Sequence, residues 1–266
     1  MEFGLNAMCF PHGTLEDDLA VAAEAGYDGV ELSLDADALG DEERVAEMRS
    51  AVEDHGLTVP SVLTPAFWET PLSSTDAATR ERGVERGRDL ITAAADLGAE
   101  TVLVVPGVVD EQTPYDVAYE NALEGVRALA DHAYDLGVTV AVENVWNDLL
   151  LSPLEFAEFV DRAGEAGPVG AYFDVGNVLR FGYPEQWIRI LADRIAAVHV
   201  KDYDTDVDTA GGFTYPLQGD VDWDAVVEAL DDVGYDGWVT PEVPPYESHP
   251  ERMPAQVRDN LAAVFE

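Results

Sequence analysis

Four polar residues stand where short apolar runs end in the second half of the sequence. Glu143 closes Val138-Thr-Val-Ala-Val142, and Asp174 closes Val169-Gly-Ala-Tyr-Phe173. His199 sits within Ile195-Ala-Ala-Val-His-Val200, and Glu242 follows Trp238-Val-Thr-Pro241. Each run is β-branched or aromatic and flanked by Gly or Pro, the pattern of a buried parallel strand. A carboxylate or imidazole at such a strand end is costly to bury without a partner. Three carboxylates and one histidine on consecutive, neighbouring strands converge on one point, and the partner that suits all four is a cation. An oxygen-rich set with one imidazole favours a single divalent ion, Mn2+ first and Mg2+ or Co2+ next, over structural Zn2+, which takes thiolates or several histidines. Glu143 and Glu242 also suit proton transfer. With the ion holding a carbonyl oxygen and its neighbouring hydroxyl, one glutamate removes the proton between them. The opposite glutamate returns a proton, and the reaction passes through an enediolate.

Strand-like and helix-like segments alternate along the whole chain and supply the positions this chemistry needs. The pattern predicts strands at Phe3–Ala7, Gly29–Leu32, Leu57–Val62, Thr101–Val105 and Val138–Val142, then Gly170–Phe173, Ile195–Val200 and Gly237–Thr240. Helices are predicted from Thr14, over Asp41–His55, up to about Leu97 and over Pro114–Leu136. Further helices are predicted from Ser152-Pro153, over Pro184–Ala192 and Trp223–Val233, and over Pro250–Phe265. Thr14 with Asp17 reads as a capping box, Ser152 as an N-cap before Pro, and Gly56 and Gly98 as stops. Thr64–Thr75 and the Asp/Gly-rich stretch to Asp222 read as loops. Eight strand–helix pairs point to an α/β fold, a single (β/α)8 TIM barrel spanning 1-266. A doubly wound sheet is the competing reading, but no Gly-x-Gly-x-x-Gly follows the first strand. In a barrel the four residues line one half of the mouth at the strands' C-terminal ends.

Composition narrows the partners. The 266 residues carry 54 acidic against 14 basic side chains, a formal net charge of −40, with carboxylates spread over every predicted helix. Lys201 is the only lysine. Such a surface resembles that of a cytoplasmic protein from a high-salt organism, where screening relieves self-repulsion. It excludes nucleic acid and anionic membranes as partners, because both are bound through Lys and Arg. The single cysteine, Cys9, cannot form an internal disulfide. The N-terminal residues have neither a basic nor a long apolar region, so no signal peptide is expected.

The segments Val142-Glu-Asn-Val-Trp-Asn147, Tyr172-Phe-Asp-Val-Gly-Asn177, Val198-His-Val-Lys-Asp202 and Gly237-Trp-Val-Thr-Pro-Glu242 resemble the sugar isomerase/epimerase superfamily of xylose isomerase-like barrels. The resemblance covers essentially the whole chain. It implies that Glu143, Asp174, His199 and Glu242 bind one divalent metal and that Glu143 and Glu242 act as the acid/base pair. It implies a small sugar or sugar phosphate as substrate, and a homodimer or homotetramer as the assembly. The reaction is then an isomerisation or epimerisation, with metal-dependent dehydration of an inosose or keto-sugar as the alternative and non-catalytic sugar binding as a third reading. Three positions depart from the ketose 3-epimerase pattern: Leu149 stands where a substrate-binding Glu is usual, Asn177 where a His is, and Thr205 where an Arg is. The AP-endonuclease branch needs many histidines. This chain has five: His12, His55, His132, His199 and His249.

Residues near the four ends are candidates for substrate contact: Trp146, Asn147, Asn177 and Arg180 beyond the metal-bearing strands, and Asn6 and Trp68 in the first half. Lys201 shares a strand face with His199 and is expected to touch a substrate oxygen or phosphate. Asp202 is a candidate orienter of His199 or Lys201, Glu31 a barrel-interior hydrogen-bonding group. The Gly211-Gly212 loop could offer backbone amides to a phosphate.

Overall fold

The computed structural model describes residues 1–11 and 13–266, so His12 lies outside the described residues. The strands are β1 (Glu2–Asn6), β2 (Gly29–Ser33), β3 (Ser61–Leu63), β4 (Thr101–Val104), β5 (Thr139–Glu143), β6 (Val169–Asp174), β7 (Ile195–Val200), β8 (Asp202–Tyr203), β9 (Phe213–Thr214) and β10 (Trp238–Pro241). β1 to β7 and β10 are parallel and close into a barrel, with β10 pairing β1 through Glu2–Trp238 and Phe3–Val239. The helices are α1 (Leu15–Ala25), α2 (Glu42–Asp54), α3 (Ala66–Glu69), α4 (Ala77–Leu97) and α5 (Tyr115–Tyr134). They continue with α6 (Pro153–Gly164), α7 (Val175–Leu179), α8 (Pro184–Leu191), α9 (Trp223–Val233) and α10 (Met253–Phe265). This is the eight-stranded barrel that the alternation predicts.

Local chemistry sets the boundaries. Thr14 accepts from the Asp17 amide and its hydroxyl donates to the Asp17 carboxylate, which starts α1. Ser152 caps α6, with Pro153 in the first turn, and Gly98 ends α4 in the left-handed conformation that glycine adopts without strain. The third strand is shorter than the sequence pattern predicts. Thr58 makes only an isolated bridge to Gly29, and Pro60, which has no amide to give a ladder, precedes the paired residues. Two loops carry unexpected structure: α3 lies in the Pro/Ser/Thr-rich segment, and an antiparallel β8–β9 hairpin folds the stretch after β7. A further short helix, α7, begins at the end of β6.

Apolar strand residues such as Leu5, Val62, Val140 and Val198 are buried, and helix residues such as Leu19, Leu90, Val126 and Phe159 pack around the strands. Among the described residues no helix is long and apolar enough to cross a membrane.

Candidate metal centre at the barrel mouth

Register decides which strand ends meet. β6 and β7 pair Asp174 with His199, β5 and β6 pair Glu143 with Tyr172, and β10 and β7 pair Pro241 with Val200. The side chains of Glu143, Asp174, His199 and Glu242 therefore reach one point, each offering a ligand atom within 4.8 Å of the others. His199 Nδ1 lies 3.5 Å from Glu143 Oε1, 4.0 Å from Asp174 Oδ2 and 3.9 Å from Glu242 Oε2.

Behind the histidine, Nε2 is 2.7 Å from Glu31 Oε2, and the Glu31 carboxylate also accepts from Asn6 Nδ2 and Ser61 Oγ. With Nε2–H committed to Glu31, Nδ1 is the atom that faces the three carboxylates, and it is buried without a hydrogen-bond partner among the described residues. A buried orphan nitrogen aimed at carboxylate oxygens fits a cation, and three carboxylates with one imidazole fit a hard divalent ion. The Tyr172 ring lies 4.3 Å from the imidazole, and its hydroxyl shares a hydrogen bond with Ser61. Glu31, the barrel-interior hydrogen-bonding group of the sequence reading, is thus the group that orients His199.

Asp202 is not that orienter. Its carboxylate accepts from the amides of Tyr203, Leu217 and Val221 and from the Trp223 indole, so it organises the hairpin loop instead. Asn144, which the sequence reading passed over, locks β5 to β6: its side chain accepts from the Asp174 amide and donates to the Asp174 carbonyl.

One ammonium lies among these carboxylates. Lys201 Nζ sits 2.5 Å from Glu242 Oε2 and 3.0 Å from Asp174 Oδ2. Burial opposes its charge, but Asp174 and Glu242 outweigh that and hold it protonated. Gly176 of α7 makes room for this lysine, since a Cβ there would lie 2.5 Å from Lys201 Cγ. Burial pushes the Glu143 carboxyl up to about 7, against the pull of His199. Burial likewise raises Asp174 despite Lys201. For Glu242, burial is outweighed by Lys201 and His199, which hold the carboxyl below its ordinary value. Burial disfavours the His199 imidazolium, yet Glu31 and Glu242 raise it well above the usual histidine range.

A cavity of about 320 Å³ opens beside the centre. Glu143 and Glu242 line it, whereas Asp174 and His199 are fully buried behind them. Asn6 and Trp68 line it as well. The other expected contact residues lie elsewhere. Asn147 is buried, donating to the Gly107 carbonyl and accepting from the Leu149 amide. Asn177 donates to the Asn144 carbonyl, and its own carbonyl accepts from the Trp146 indole. Trp146 packs on Phe213 and Tyr203, with the Arg180 guanidinium 4.8 Å from its ring. Arg180 in turn pairs with Asp208 at 2.6 Å. Trp146 and Arg180 line a neighbouring cavity of about 330 Å³ instead of this one, and Asn147 and Asn177 are buried in the walls of the mouth. Their hydrogen-bonding capacity is used on backbone and loop, which sequence spacing does not reveal.

Residues 19–264 match the family model described as a xylose isomerase-like TIM barrel. L-ribulose-5-phosphate 3-epimerase UlaE of Salmonella heidelberg (strain SL476) is 30% identical over 241 residues, covering 82% of this chain and 78% of that protein. The uncharacterized protein MJ1311 of Methanocaldococcus jannaschii is 25% identical over 256 residues, covering 91% of this chain and 83% of its own. Among solved structures, D-psicose 3-epimerase with D-tagatose from Clostridium cellulolyticum H10 superposes over 100% of both chains with a TM-score of 0.84 at 19% identity. The IOLI protein with a bound zinc atom does so with a TM-score of 0.82, also at 19% identity. Likeness at that identity concerns the fold.

Proposed function

Because the chain belongs to the xylose isomerase-like TIM barrel family, we propose that it is a divalent-metal-dependent isomerase or epimerase of a small sugar or sugar phosphate, working in the cytoplasm. Glu143, Asp174, His199 and Glu242 would hold one ion, Mn2+ first and Mg2+ or Co2+ next, as an oxygen-rich donor set favours. When bound, that ion polarises a carbonyl oxygen and the hydroxyl beside it. The proton is then moved by the chain's own carboxylates.

The observation that carries this reading is the unequal exposure of the four ligands. Only Glu143 and Glu242 line the cavity, so only they reach a substrate carbon. One removes the proton next to the carbonyl, and the other delivers a proton to the opposite face or the neighbouring carbon. Their surroundings differ: Lys201 Nζ hydrogen-bonds Glu242, while Glu143 faces His199. That difference separates two chemically identical groups, as acid/base pairs require. His199 and Asp174 stay fixed, the first by Glu31, the second by Asn144 and the Asn177 amide. The UlaE relative, whose name describes a 3-epimerase, supports the same class of chemistry.

The test is proton NMR of Mn2+- or Mg2+-loaded protein with ketoses and their phosphates in D2O. Deuterium should enter the carbon beside the carbonyl with the substrate otherwise intact. Glu143→Gln and Glu242→Gln should each slow that exchange by about 10²–10⁴-fold. Near-normal exchange in both variants would defeat the acid/base assignment, and loss of water from the substrate would make the enzyme a dehydratase.

A further inference from the structure

We infer that the cavity selects a ketose whose end remote from the carbonyl is uncharged and poor in hydroxyls, a terminally deoxygenated ketose, over the corresponding phosphate ester. This rests on the isomerase reading above and names its substrate class. The first observation is the character of the cavity wall. Apart from the two glutamates that face the chemistry, the lining is largely apolar, with Leu63, Pro65, Trp68, Leu103 and Val105 along it and Met8 at its edge. The hydroxyls available are those of Ser33 and Thr64, and the Thr64 hydroxyl oxygen already accepts from the Ala66 amide. The Asn6 side chain is used by Glu31 and the Met8 amide. A sugar tail rich in hydroxyls would leave those groups unpaired against this wall, whereas a methyl group buries apolar surface there.

The second observation is independent and concerns charge. Among the described residues, no Lys or Arg lines the cavity. The groups that the sequence analysis names for a phosphate, Lys201, Arg180 and the Gly211-Gly212 amides, are already engaged. Lys201 is held between Asp174 and Glu242, with its ammonium 4.7 Å from the Phe213 ring. Arg180 is paired with Asp208 and stacked on Trp146. The Gly211 amide donates to the Thr209 hydroxyl and the Gly212 amide to the Thr209 carbonyl, so these two amides are already used within the loop. A phosphate dianion would meet two glutamates and, among the described residues, no Lys or Arg in the cavity lining, on a chain of net charge −40. The 30%-identical relative carries a phosphate ester in its name, so this chain departs from that relative at the tail of the substrate.

The experiment is calorimetric titration of Mn2+-loaded protein with three unreactive open-chain polyols: a 6-deoxyhexitol, the hexitol and its 6-phosphate. The deoxy polyol should bind about 10-fold tighter than the hexitol and about 100-fold tighter than the phosphate. Equal or tighter binding of the phosphate overturns the inference, and so does the absence of measurable deoxy-polyol binding. Met8→Lys, at a half-exposed position of the rim, should raise affinity for the phosphate about 10-fold while changing deoxy-polyol binding little. No gain there would overturn the electrostatic reason. Binding is read separately from D2O exchange. The expected order without exchange of any ketose would count against the isomerase reading alone. Exchange together with a preference for phosphate would count against the inference alone.

Discussion

Replacing Glu31 separates orientation from charge at the proposed metal centre. Glu31 Oε2 accepts from His199 Nε2 at 2.7 Å and from Asn6 Nδ2, while Oε1 accepts from Ser61 Oγ at 2.8 Å. In Glu31→Gln, the amide oxygen can take the Oε2 position and keep the first two bonds. Its NH2 then faces Ser61, whose hydroxyl can accept from it and donate to Tyr172 instead. Geometry is retained and one negative charge is removed, so the imidazole becomes a weaker ligand. In Glu31→Ala all three bonds disappear, and the ring is free to turn away from the carboxylates. Partners of this kind are worth about 10–100-fold in metal affinity. We expect Mn2+ to bind about 10-fold more weakly to the glutamine variant and about 100-fold more weakly to the alanine variant, or roughly 1.4 and 2.8 kcal/mol. Calorimetric titration of Mn2+ measures both. In the metal-free protein, NMR titration should also show the His199 imidazole losing its proton at lower pH in Glu31→Gln, because Glu31 is the first of the charges that raise it. Unchanged Mn2+ affinity in both variants would refute the role assigned to Glu31.

Three further outcomes follow from the same contacts. Burial raises the Glu143 carboxyl from 4.5 to about 7, so its contribution to stability is complete below its unfolded value and is lost as pH rises through the folded one. Metal-free Glu143→Gln, fixed in the neutral form, should therefore melt higher than the wild type at about pH 8, with the advantage shrinking toward about pH 5; a pH-independent difference would contradict this. Asp202→Asn turns an NH2 toward two of the four donors that the carboxylate now serves. It should cost about 3 kcal/mol and speed amide exchange across the hairpin loop, and unchanged exchange there would show that Asp202 does not anchor it. Finally, with a net charge of −40, molar KCl should raise the melting temperature as the screening length falls from about 10 to about 3 Å, and a midpoint indifferent to salt would dismiss the high-salt reading of the surface.

The barrel was legible because its signals are local. Alternating strand and helix patterns, the Thr14 and Ser152 caps and the Gly98 stop each lie within a few residues of what they determine. The convergence of Glu143, Asp174, His199 and Glu242 was legible for a related reason: parallel neighbours in a barrel put equivalent strand ends together, so position along each strand stands in for position in space. What escaped depends on side chains meeting across the barrel. Glu31 and His199 are 168 residues apart, and only closure of β1 and β2 onto the β7 side brings them to 2.7 Å. Trp146 follows a ligand-bearing strand by three residues and looked open to a sugar. Its indole is taken instead by Asn177 and its faces by Phe213 and Arg180, two of which come from loops whose course the local pattern did not fix.

Lys201 shows how the two kinds of information combine. Alternation put it on the face of His199, as observed, but not what it would touch there. Three nearby carboxylates without a cation are unstable neighbours, and the single lysine of the chain lies between two of them. Its position against Glu242 and not Glu143 is what makes the two cavity-lining glutamates unequal. The same engagement removes it from the list of phosphate anchors. One side chain thus bears on the proton chemistry and not on the tail preference, so Lys201→Met should separate them: it should narrow the difference between Glu143 and Glu242 in an NMR titration of the metal-free protein, and leave the weak binding of hexitol 6-phosphate unchanged. A weaker phosphate complex in that variant would show that the lysine anchors the ester after all.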